Sequence, residues 1–73
     1  MPEIVDARGL RCPLPLVRAR QALAVMPPGE PLIVLATDPE APIDLAALAS
    51  DVGRAFTSER VGSDWRLTLA AQE

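Results

Sequence analysis

The chain has no histidine, no lysine and no tyrosine, and it has a single cysteine, Cys12. Each absence closes a class of chemistry. One Cys without any His cannot form a Cys/His zinc site within one chain, and it cannot form an internal disulfide framework. Without His there is no imidazole to serve as a base near neutral pH. Aromatic residues are only 3% of the chain, from Phe56 and Trp65, so the core has to be aliphatic. All seven basic residues are Arg, against ten Asp and Glu, for a formal net charge of −3. That balance lacks the basic face needed to neutralise phosphates and gives no attraction to an anionic membrane surface. No apolar stretch approaches the roughly 20 residues that span a bilayer, and Met1 to Gly9 do not read as a secretory signal. The expectation is a cytoplasmic protein with no metal, no cofactor, no direct nucleic-acid contact and no membrane contact.

What is present is enough for one domain, residues 1–73, with 49% hydrophobic residues. Pro27-Pro28-Gly29, Asp38-Pro39 and Gly62-Ser63-Asp64 punctuate it. Between these breaks the periodicity predicts a strand over Ile4 to Ala7 and a helix over Pro13 to Met26, with Leu16, Ala19, Leu23 and Met26 on one face. Leu32 to Ala36 is a continuous apolar run, the pattern of a central strand buried on both faces. Ile43 to Val52 predicts a second helix with Leu45, Leu48, Ala49 and Val52 on one stripe. Asp44 falls in its first turn and Gly53 at its end. Ala55 to Val61 and Trp65 to Ala70 predict a hairpin. The order β-α-β-α-β-β points to an α/β (α+β) two-layer sandwich, a mixed four-stranded sheet with both helices on one face. If the first two strands are parallel, the loops that follow them share one edge of the sheet, and they carry Cys12 and Asp38.

The chemistry is concentrated in Gly9-Leu10-Arg11-Cys12-Pro13-Leu14-Pro15. A residue before proline is pushed out of the helical region, and proline favours the first helical position. The spacing therefore predicts Cys12 at the N-cap of the first helix, with Pro13 as its first residue and Pro15 in its first turn. A helix N-terminus favours thiolate over thiol, and Arg8 and Arg11 lie close in sequence. The expected result is a thiol pKa below that of free cysteine and a nucleophile suited to sulfur chemistry. Against this stands the buried, inert role that a lone Cys often has. Asp38 before Pro39 reads first as a turn residue, and otherwise as a carboxylate that orients a partner near Cys12, where it would raise the thiol's pKa against the helix terminus. Asp44 reads as a helix-start residue before a functional one. Trp65 reads as core or edge packing before a docking residue.

The run Asp6-Ala7-Arg8-Gly9-Leu10-Arg11-Cys12-Pro13-Leu14-Pro15 resembles the signature of the TusA/SirA-like family of sulfur-carrier proteins, with its Cys-Pro-x-Pro motif at Cys12, Pro13 and Pro15. Asp38-Pro39, Asp44 and the closing hairpin extend the likeness over nearly the whole chain. The resemblance implies a two-layer α/β sandwich and a sulfurtransferase that carries sulfur as a persulfide on Cys12, with Gly9, Arg11, Pro13 and Pro15 as its supporting motif. It also implies a protein donor: a cysteine desulfurase, a rhodanese or another carrier. The acceptors it implies are proteins of tRNA thiolation, molybdenum cofactor synthesis or sulfur oxidation. Arg8, Asp38 and Asp44 are candidate partner-facing or orienting residues. Ile43 stands where tRNA-thiolation members often carry a basic residue, and Ala70-Ala71-Gln72-Glu73 lacks the basic tail those members often have. Nothing in the sequence demands a dimer, so a monomer is expected. The alternative is a non-catalytic protein-binding or regulatory module whose activity does not need Cys12.

Overall fold

The computed structural model describes residues 2–72. Six elements follow in order: β1 (Glu3–Ala7), α1 (Leu14–Val25), β2 (Leu32–Ala36), α2 (Ala41–Asp51), β3 (Phe56–Val61) and β4 (Asp64–Leu69). The sheet order is β1-β2-β4-β3. β1 runs parallel to β2, with Ala7 opposite Ala36, while β4 is antiparallel to both β2 and β3. The expected mixed four-stranded sheet is therefore present, and α1 and α2 pack on it and on each other.

Alternation along the strands decides which face the helices cover. Leu32, Val34 and Ala36 of β2 and Leu67 and Leu69 of β4 are fully buried, and they meet Ala19 of α1 and Leu45, Leu48 and Ala49 of α2. Each Leu side chain removed from water in this way contributes roughly 2 kcal/mol. The opposite face is only partly closed. Ile33 there is 8% exposed and Leu35 half-buried, while Ile4 and Val61 at the flanks are more than half exposed. The central strand is thus buried on one face and only partly on the other, because both helices lie on the same side.

The element ends differ from the periodicity in ways that hydrogen bonding explains. Leu14 N donates to Arg11 O at 2.8 Å, closing a turn over residues 11–14, and Val17 N donates to Pro13 O at 3.0 Å. Pro13 is therefore the N-cap of α1, and Cys12 sits one residue outside the helix rather than at its cap. The Cys12–Pro13 peptide is cis. Helix α2 starts two residues earlier than its apolar stripe implies. Ile43 N and Asp44 N both donate to Glu40 O at 3.1 Å, and Pro42 occupies a first-turn position that needs no N–H partner. Its C-terminus is closed as expected. Gly53 has φ +72°, Gly53 N donates to Ser50 O, and Arg54 N donates to Ala49 O, the paired bonds of a Schellman motif. Trp65 is half-buried against the core, with the Arg60 guanidinium 4.6 Å from its ring centroid.

Arg54 is the buried charged residue of this core, at 8% exposure. Its guanidinium donates to the carbonyls of Glu30 at 2.8 Å and Ala70 at 3.0 Å, which ties the α2–β3 corner to the α1–β2 loop and the end of β4. Arg54→Met removes those donors and leaves their carbonyl acceptors in a largely dry site. The expected loss is about 2–3 kcal/mol of folding stability, read as a lower urea midpoint at unchanged slope. An unchanged midpoint would show that water replaces the guanidinium at no cost.

Candidate functional site

Parallel pairing of β1 with β2 brings the loops after these strands to one edge of the sheet. The first loop leaves Ala7 in a tight turn in which Leu10 N donates to Ala7 O at 3.2 Å. Gly9 holds φ +83° there, the left-handed value a type II turn requires at its third position. Its N–H donates to Thr37 Oγ1 of the second loop at 2.9 Å. The chain then reaches Cys12, which is free and exposed.

The second loop grips the first at Cys12. Cys12 N donates to Asp38 Oδ2 at 2.5 Å, and the other oxygen of the same carboxylate accepts Glu40 N at 2.8 Å. Asp38 is therefore both the turn residue its Asp-Pro context suggests and the tether of the Cys12 backbone. Those two backbone donors, with the Arg11 charge, hold its carboxyl below the usual carboxylate range. Pro13 and Pro15 shape the other side of the site, with Pro15 fully buried in the first turn of α1.

The thiol itself faces acid. Cys12 Sγ donates to Asp44 Oδ2, on the first turn of α2, at 3.0 Å. The Asp44 contact, loss of hydration and a weaker pull from Glu40 push the thiol up to about 11. This overturns the expectation of a depressed thiol pKa. A carboxylate that accepts the S–H bond stabilises the protonated form, and no charge on the first turn of α1 opposes it. The two arginines do not help as their position suggested. Arg8 pairs with Asp6 through bonds of 2.8 Å and lies 3.8 Å from Asp64. That pairing lowers the Asp6 carboxyl to about 2. Arg11 acts on Asp38.

Of the residues the sequence singled out, the structure brings Gly9, Cys12, Pro13, Asp38 and Asp44 to one site, while Arg8 turns to Asp6 and Asp64. Sequence reasoning missed Thr37 and Glu40. Both lie in the same loop as Asp38, and the shared sheet edge was the signal that could have found them. An open concavity of about 400 Å³ lies on the uncovered face of the sheet, around Ile4, Ile33, Leu35 and Val61, and does not include Cys12. Among the described residues no helix is long and apolar enough to cross a membrane, and no group of three acidic, Cys or His residues is placed to hold a metal.

Comparison with known proteins gives one answer. The family model described as sulfurtransferase TusA matches residues 3–70. The sulfur carrier protein TusA of Allochromatium vinosum is 47% identical over 49 residues, which span 67% of this chain and 64% of that protein. The protein NMA0882 of Neisseria meningitidis is 51% identical over 51 residues, 70% of this chain and 69% of its own. The crystal structure of the SirA-like protein DSY4693 from Desulfitobacterium hafniense superposes with a TM-score of 0.83 at 29% identity, covering 96% of this chain and 97% of that one.

The Asp38 tether has a direct readout. Asp38→Ala should release the Cys12 amide, whose hydrogen exchange should then run about tenfold faster, as expected for loss of a charge-assisted bond. Amide exchange by NMR checks it, with the amides of β2 as the unaffected reference. Equal Cys12 rates in both proteins would mean that the loop is held by other contacts.

Proposed function

From the premise that the chain belongs to the TusA family of sulfurtransferases, we propose that it carries sulfur as a persulfide on Cys12, taken from one protein and given to another. The observation that carries this reading is the placement of the chain's only thiol. Cys12 is exposed at the sheet edge, inside the Cys-Pro-x-Pro motif, on a loop fixed by Gly9, Pro13, Pro15 and Asp38.

The transfer balances with no further reagent. The Cys12 sulfur attacks the outer sulfur of a donor persulfide, a new S–S bond forms, and the donor's own S–S bond breaks. The donor leaves as a thiolate and takes up a proton, while Cys12 loses one. Release to the acceptor is the same step with the roles exchanged, so the carrier needs one thiol and no cofactor. The donor is a cysteine desulfurase or a rhodanese, and the acceptor a protein of tRNA thiolation, molybdenum cofactor synthesis or sulfur oxidation. The acidic balance of the chain supports transfer to an intermediate enzyme rather than direct contact with RNA. This reading treats residues 1–73 as one carrier domain that works as a cytoplasmic monomer.

Intact mass spectrometry after incubation with a cysteine desulfurase and cysteine, or with a rhodanese and thiosulfate, tests it. The expected result is a gain of one sulfur atom, reversed by reductant and absent in Cys12→Ser. No gain with either donor, while Cys12 still alkylates, would favour the binding-module reading instead.

A further inference from the structure

Three carboxylates approach Cys12 from the second loop and α2, and among the described residues no cation is paired with the sulfur. Asp38 holds the Cys12 backbone, Glu40 adds negative charge, and Asp44 accepts a hydrogen bond from the thiol. Arg11, the nearest basic residue of the same loop, acts on Asp38. Helix α1 contributes only Leu14, Pro15, Leu16 and Val17 before Arg18. This surrounding suits a sulfur that stays protonated, whereas transfer needs a thiolate.

We propose that Asp44 is a lock on the Cys12 thiol: it keeps the proton on sulfur while the carrier is free, and a donor protein opens the lock by presenting a cationic group to the Asp44 carboxylate. The identity of that protein rests on the persulfide-carrier reading, but the lock itself concerns only Cys12 and its neighbours. On docking, the cation pairs with Asp44 and the Cys12 proton passes to solvent. The thiolate then attacks the donor's outer sulfur, and the departing donor thiolate takes a proton from solvent. After delivery the Cys12 thiolate is reprotonated and returns to Asp44. The arrangement makes the free carrier slow toward stray electrophiles and reactive only against a partner of the right charge.

The test uses small reagents, so it does not depend on persulfide loading. Asp44→Asn removes the charge and keeps the shape. At pH 7.5 and low salt, the variant should alkylate with neutral iodoacetamide at least about threefold faster, the net effect of a one-unit fall in thiol pKa once the lower nucleophilicity of a less basic thiolate is counted. Asp44→Glu, which restores a carboxylate, should bring the rate back toward that of the unsubstituted protein. Charge selectivity gives the second readout. The rate with cystamine, a dicationic disulfide, divided by the rate with neutral bis(2-hydroxyethyl) disulfide should fall at least about threefold in Asp44→Asn. An unchanged or slower alkylation rate, or an unchanged ratio, overturns the lock. Failure of sulfur loading with the lock intact would instead count against the carrier reading.

Discussion

Everything at the site depends on the parallel pairing of β1 with β2. Because the two strands run the same way, their C-terminal ends meet at one edge of the sheet, and so do the loops that leave them. That single constraint places Cys12 against residues 26 and 32 positions away, Asp38 and Asp44. It also lets Thr37 hold Gly9, so that the turn, the tether and the thiol form one connected unit. An antiparallel start to the sheet would have sent the two loops to opposite edges. The motif would then have been left as an isolated cysteine before a helix.

The physical consequence is a sulfur whose reactivity is set by its surroundings rather than by its position on a helix. A helix N-terminus contributes the equivalent of about half a charge, spread over its first turn. A carboxylate oxygen 3.0 Å from the sulfur acts at shorter range, and with the full sign of an acid. The carboxylate prevails, and the thiol stays protonated. For a member of a sulfur-carrier family, this separates two needs. The loop is stiffened by prolines, a left-handed glycine and a backbone tether, so the thiol is presented in one place. Its ionisation is left to whatever approaches it.

Much of the fold was legible because the chain is heavily punctuated. Pro27-Pro28-Gly29, Asp38-Pro39 and Gly62 isolate short segments of clear period, and the element order and helix faces follow from them. The helix starts were not legible, because backbone bonds rather than side-chain pattern set them. The turn over residues 11–14 pushes Cys12 out of the helix, and Glu40 starts α2 ahead of its apolar stripe. At the site the position of Cys12 was readable, and so was its neighbourhood with the Asp38 loop. The sign of its pKa shift was not. Reasoning along the chain counted Arg8 and Arg11, which are near in sequence, but Arg8 is taken by Asp6 two residues before it. The charge that decides the matter comes from α2, and only the folded sheet reveals that.

The most direct test of this account is the ionisation of Cys12 in the free protein, followed by ¹³C NMR of a β-labelled cysteine against pH. The contact with Asp44 predicts a single transition centred near 11. A centre at or below about 8.5, the value of an unperturbed thiol, would contradict it and return control of the sulfur to the helix terminus.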